Sequence, residues 1–171
     1  MTETSTPTVT PTPTFVLRLN AGGGSYTDVR GNLWLADQAY ASGSWGYVEG
    51  QKYSYAVPIN GTDDDKLYQS EHYWTDGGSY LVDLPNGNYS ITLKFAEIYP
   101  GGYGGSRRFG VRAEGVFVLT SVDMFTESGG RYNALDKQFT IIVADGQLNL
   151  DFVKDLGAPQ INAIAIETAG P

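Results

Sequence analysis

The chain has 171 residues, 41% of them hydrophobic and 18% charged, with a net charge of −8; this is enough chain for one domain with its own core, and the acidic balance disfavours nucleic acid, because each phosphate contact needs a Lys or Arg to displace counterions. No run approaches the roughly 20 consecutive apolar residues that cross a bilayer and no basic amphipathic helix offers surface attachment, so no membrane partner is expected. The absence of cysteine excludes disulfides, thiol nucleophiles and Cys-based zinc sites, and a single histidine, His72, excludes a multi-histidine metal site.

In chain order, residues 1–14 come first, with TETSTPTVTPTPT from Thr2 to Thr14. This segment holds almost no apolar surface to offset the entropy of ordering. Alternating Thr-Pro favours an extended, stiff chain, so the segment is read as a linker. The opening MTETS has neither the basic nor the apolar region of a signal peptide. Residues 15–171 are therefore expected to be a monomeric module of a larger, bacterial-type secreted protein.

From Phe15 onward, short β-type runs alternate with turns: FVLRLN, SYLVDL, YSITLKFAEI, RRFGVRAEG, VFVLTSVDM, KQFTIIVA, QLNLDFVK and INAIAIET. Tyr89, Ile91, Leu93 and Phe95 point one way while Ser90, Thr92 and Lys94 point the other, the period of two that marks a half-buried antiparallel strand. Pro85-Asn86-Gly87-Asn88 and Ala144-Asp145-Gly146 supply turn chemistry, since Gly and Asn accept the positive φ of tight hairpins. Strands at this spacing, with 22 glycines and no convincing amphipathic helix, indicate an all-β fold, an antiparallel β-sandwich of jelly-roll type. The stretch from Gly22 to Asp76 is less regular and rich in Tyr and Trp; such long connections are usually functional or packed over the end of a sandwich.

Four loop groups carry candidate chemistry. In LNAGGGSYTDVRGNLWLAD, residues 19–37, three glycines permit close backbone approach, and Asp28 or Asp37 either contacts a ligand or holds loop amides. No Gly-Lys-Ser/Thr and helix follow, so this is not a phosphate loop. In GSWGYVEG, residues 43–50, Trp45 and Tyr47 should project the same way, toward a ligand or into the core. In GTDDDKLYQSEHYW, residues 61–74, three consecutive aspartates offer hard oxygens to a structural calcium ion but lack EF-hand spacing, so a capped, solvated turn is expected and no cofactor is required. His72 is read as a polar loop histidine, since no nucleophile motif accompanies it.

The fourth group is FAEIYPGGYGGSRRF, residues 95–109. Glu97 lies two residues beyond Phe95, on the inward side of a strand end. It either donates a proton as a glycosidase-like acid paired with Glu71, or accepts loop amides and braces the segment bearing Tyr99 and Tyr103. The brace is the expected role.

With NAGGG, GTDDDKLYQSEHYW, FAEIY and FVKDLGAPQINAIAIE in that order, from about Phe15 to Glu167, the chain resembles the malectin family of carbohydrate-binding modules, related to a diglucose-binding lectin of the endoplasmic reticulum. The resemblance implies a β-sandwich, no catalysis, and a sugar site built from loops. It carries the family's sugar-stacking tyrosines onto Tyr73 and Tyr99, and another aromatic onto either Tyr47 or Trp45. Two departures stand out: Pro100 replaces the ring that follows the FAE-x-Tyr tyrosine, and the acidic residue before the last strand is replaced around Gly157. Tyr103 and Asp155 are the candidates to compensate.

A pyranose offers an apolar C–H face and a rim of hydroxyls, so flat rings and fixed acceptors suit it, and Tyr combines both at low entropic cost. The expected partner is an oligosaccharide or polysaccharide of glucan or related type. Tyr73, Tyr99, Trp45 or Tyr47, and Tyr103 are the candidate stacking rings; Asp28, Glu71 and Asp155 are the candidate hydroxyl ligands. A small hydrolase using Glu71 and Glu97, or an adhesive domain whose aromatics meet another protein, are the alternatives.

Overall fold

A computed structural model describes residues 14–170; the linker expected over residues 1–14 lies, but for Thr14, outside the described residues. Strands in the first part of the chain are β1 (Val16–Asn20), β2 (Tyr26–Thr27), β3 (Leu33–Ala36), β4 (Trp45–Val48), β5 (Gln51–Ser54), β6 (Ser70–Tyr73) and β7 (Gly78–Asp83). The second part adds β8 (Gly87–Phe95), β9 (Arg108–Ala113), β10 (Val116–Val122), β11 (Leu135–Val143), β12 (Gln147–Leu156), β13 (Gln160–Ile161) and β14 (Ala163–Thr168). Among the described residues there is one short α-helix, α1 (Met124–Ser128), capped by the Asp123 side chain, which accepts from Thr126 N, and one 3-10 turn at Asp65–Leu67.

Two sheets form the sandwich. One has the order β11-β8-β14-β1-β3-β2, the other β10-β9-β12-β7-β4. Each strand places its alternate apolar residues between them: Ile91, Leu93 and Phe95 from β8 face Phe109 and Val111 from β9, and Leu148, Leu150 and Phe152 from β12. The opposite positions of β8, Ser90, Thr92 and Lys94, are only half-buried, as the period of two requires. Truncating one of the buried phenylalanines to Ala costs about 3–5 kcal/mol, from lost transfer energy plus the cavity left behind.

Among the pairs of named strands the antiparallel expectation holds with one exception: β1 and β3 pair in parallel, Leu19 opposite Leu35 and Asn20 opposite Ala36. The cause is the turn between β2 and β3. Asp28 Oδ1 accepts from Arg30 N (3.0 Å) and Asn32 N (2.8 Å), closing a hairpin whose second strand then lies beside β1.

The less regular stretch before Asp76 contributes β5 and β6, which join β13 from the far end of the chain in a third, three-stranded sheet of order β13-β6-β5. It lies where the sandwich strands run out. Trp74, just past β6, stacks on Phe152 (5.1 Å between centroids), while the segment leaving β8 is tied to β13's end by Ala96 N donating to Asn162 Oδ1 at 2.7 Å. The buried Asn162 amide also donates to Tyr68 O (3.1 Å) and Ser70 O (2.8 Å). One side chain thus fixes the start of β6 against the exit of β8, which is what sets the positions of Glu71 and Tyr99.

Candidate functional site

Alternation along β6 divides the small sheet into two faces. Ser70 and His72 point one way, Glu71 and Tyr73 the other. In the antiparallel pair with β5, Tyr53 stands opposite Glu71 and Gln51 opposite Tyr73, so these four side chains share a face. Tyr73 Oη donates to Gln51 Oε1 at 2.6 Å, which orients its ring. Behind β6 the backbone of the glycine loop closes in: a Cβ on Gly22, which has φ 69°, would lie 2.2 Å from Glu71 O. Only glycine fits there.

Tyr99 reaches the same place from β8. Glu97 Oε1 accepts Tyr99 N at 3.0 Å, so Glu97 braces the tyrosine segment. The following turn folds back on it: Gly102 N donates to Tyr99 O (2.9 Å), and a Cβ on Gly102 would sit 2.5 Å from Glu97 Cδ. Tyr99 is thereby held half-exposed, 6.2 Å from Tyr53 with the rings at 76°. Tyr53, Tyr73 and Tyr99 enclose, with Glu71, Arg107 and Ala158, a cavity of about 200 Å³.

At the floor of this pocket one guanidinium serves two buried carboxylates. Arg107 Nη1 lies 3.4 Å from Glu71 Oε1 and its Nε 3.5 Å from Glu97 Oε2. Burial pushes the Glu71 carboxyl up from its ordinary 4.5 to about 7, with Arg107 opposing that rise and Glu97 adding to it. Burial raises Glu97 as well, against Arg107 and the Tyr99 amide. Glu71 Oε2 is buried and has no hydrogen-bond partner. A polar atom in that state is costly. Glu97 does not line the cavity, so the two carboxyls do not flank a common cleft as a glycosidase pair must.

The remaining expected site residues lie elsewhere. Trp45 and Tyr47 do project the same way from β4, but lie partly buried against the main core. Tyr47 packs on His72 (4.1 Å, 32°) and edge-on against Tyr80. Asp28 accepts four hydrogen bonds within its own hairpin, including one from Trp34 Nε1 at 3.0 Å. Those bonds outweigh the effect of burial and hold its carboxyl down at about 2. It borders a different, larger groove of about 480 Å³ against the outer face of the six-stranded sheet. Tyr103 is 65% exposed and outside the pocket lining, in a turn pinned by Ser106 Oγ and, through Gly105 N, by Asp123. Asp155 forms an exposed ion pair with Arg108, whereas Ala158 occupies the pocket wall.

His72 is corrected outright. It is 1% exposed in β6 rather than in a polar loop, with Nδ1 3.0 Å from Asp37 Oδ2 and Nε2 2.8 Å from Glu49 O. Asp37 also accepts from Gly22 N and Tyr80 Oη, both at 2.8 Å. Such pairing is what lets a polar ring be buried. As for calcium, Asp64 is engaged by Tyr26 Oη and Val29 N (both 2.9 Å), and no acidic or histidine cluster able to hold a metal ion occurs among the described residues.

A malectin-domain family model matches residues 15–170. The chain belongs to the malectin-domain family. This malectin domain is 33% identical over 137 residues to Malectin-B of Xenopus laevis, covering 77% of the chain and 47% of that protein, and 30% identical over 153 residues to human Malectin, covering 80% and 50%. It thus spans about half the length of these relatives. Among solved structures it superposes on part of a Bacteroides uniformis β-glucuronidase with a TM-score of 0.83 at 30% identity, covering 91% of the chain and 18% of the enzyme. The extracellular domain of ANXUR2 from Arabidopsis thaliana gives 0.75 at 16% identity, a likeness of fold alone.

Three pocket residues of this malectin domain escaped sequence reasoning: Tyr53, Arg107 and Ala158. Tyr53 lies in QKYS, a short polar strand separated from SEHY by residues 55–69, too long a connection for a hairpin signal to set Tyr53 across from Glu71. Arg107 opens β9's approach in SRRF, where neither of two adjacent arginines is distinguished by pattern.

Proposed function

We propose that this malectin domain is a non-catalytic carbohydrate-binding module whose sugar site is the Tyr53–Tyr73–Tyr99 pocket, serving a glucan-type or related polysaccharide as part of a larger secreted protein. The observation that carries this reading is the meeting of three tyrosines with a buried, unpartnered carboxylate oxygen. Rings take the C–H face of a pyranose and Glu71 Oε2 takes a hydroxyl. At about 200 Å³ the pocket falls below the roughly 300–1,000 Å³ of sites for drug-sized ligands. It suits one sugar ring with the rest of the chain outside.

A shallow, single-ring site implies weak binding, on the order of micromolar to millimolar. That suits a domain tethered near its target, because the tether supplies effective concentration. The fold similarity to part of a β-glucuronidase is consistent with such an accessory place beside a carbohydrate-active domain. Affinity electrophoresis against α- and β-glucans tests the proposal. Retardation by at least one polysaccharide, lost in the Tyr73→Ala, Tyr99→Ala double variant, is expected. Retained binding in that variant rejects the pocket, and release of reducing ends by the purified domain rejects the non-catalytic reading.

A further inference from the structure

The pocket floor carries an unusual charge balance. Arg107 is the only cation among the lining residues, and it is already shared between Glu71 and Glu97. The two carboxylates are 2% and 1% exposed and the guanidinium 13%, so the three charges sum to −1 in a poorly solvated place when both acids are ionised. The neighbouring cations are engaged as well: Arg108 with Asp155, and Arg131 with Pro100 O. Within this cluster only Glu71 Oε2 is left without a partner, and Glu71 borders the cavity.

We propose that the Glu71–Arg107–Glu97 triad determines the specificity of the tyrosine pocket, accepting a hydroxyl of a neutral sugar at Glu71 Oε2 and rejecting the corresponding hexuronate. A hydroxyl donates to Oε2 and satisfies it without adding charge. A sugar carboxylate offers no proton at neutral pH and brings a second negative charge against a net negative floor, where screening is weak. To receive it, Arg107 must leave one of its glutamates and strand a buried charge. Glu97 acts only through Arg107, as a positioning residue. Gly102 packs its backbone against the buried Glu97 carboxyl.

This inference rests on the pocket being a sugar site, and one experiment separates the two ideas. At pH 8, where Glu71 is mostly ionised, the domain is titrated calorimetrically with α- and β-linked glucose disaccharides, each beside its counterpart ending in glucuronate. The neutral sugar is expected to bind at least tenfold tighter. Glu71→Gln keeps the shape and an acceptor while removing the charge, and is expected to shrink the preference to within about threefold. Glu97→Gln, outside the pocket lining, is expected to shift it the same way and serves if Glu71→Gln does not fold. Equal or tighter binding of the glucuronate overturns the inference and leaves the sugar site standing. A preference unchanged in both variants overturns the triad as its cause, and binding of neither sugar by the native domain overturns both ideas.

Discussion

The two faces of β6 are built from similar residues and do opposite things. On one, His72 is packed among Tyr47, Trp74 and Tyr80, and both of its nitrogens meet oxygens. On the other, Glu71 lies among Tyr53, Tyr73 and Tyr99 with one oxygen unmatched and a cavity in front of it. Both are aromatic clusters around a buried titratable group. The difference is satisfaction: His72 is paired at both nitrogens within the chain, whereas Glu71 Oε2 has no donor. Aromatic density alone therefore does not mark a site in this fold.

Substitutions on the two faces should separate stability from binding. The largest effect belongs to His72→Ala, which removes one of the partners of the buried Asp37 carboxylate, takes the His72 ring away from Glu49 O and opens a gap beside Tyr47. A loss of about 3 kcal/mol is expected in urea unfolding, with polysaccharide affinity unchanged at temperatures where the variant is folded. Lost affinity in a folded variant would merge the two faces into one unit.

Glu71→Gln should show the opposite character. Burial raises the Glu71 carboxyl to about 7, while in the unfolded chain it titrates near 4.5. Between those values the folded state holds a proton that the unfolded state releases, so stability is fully present below pH 4.5 and is lost as pH rises through 7. The native domain should therefore lose stability between pH 5 and 8, and Glu71→Gln should flatten that slope and gain about 1–2 kcal/mol at pH 8. Thermal unfolding across this range checks it; parallel curves for the two proteins would contradict the assignment.

Next in size is Tyr99→Ala. Its half-exposed ring contributes little to the core, so stability should move by less than about 0.5 kcal/mol, while affinity falls roughly tenfold from the loss of one stacking surface. Smallest of all is Tyr103→Ala, outside the pocket lining, for which binding within about twofold of native is expected by the same titration. A tenfold loss there would mean that the turn closes over the sugar.

Much of this architecture is legible in the sequence, and the illegible parts share a cause. FVLRLN, YSITLKFAEI and QLNLDFVK become β1, β8 and β12 because each buries one alternating face and needs no partner's identity to be recognised. Tyr73 and Tyr99 were reachable through family motifs, and Glu71 as a carboxylate close to Tyr73 in the chain. Tyr53, Arg107 and Asn162 were not, since each matters through a residue distant in sequence: Tyr53 through its register with Glu71, Arg107 through two carboxylates, Asn162 through three segments it ties together. Conversely, Trp45 and Tyr47 carry the right alternation, but the edge of the five-stranded sheet turns it inward. Pattern gives the phase of a strand, and only packing says which side is closed.

The most direct measurement is an amide chemical-shift titration of the ¹⁵N-labelled domain with glucan oligosaccharides. Shifts confined to the segments around Tyr53, Glu71 to Tyr73, Tyr99 and Ala158 are the predicted result. Shifts centred instead on the Asp28 groove, or on Trp45 and Tyr47, with the tyrosine pocket silent, would contradict the account.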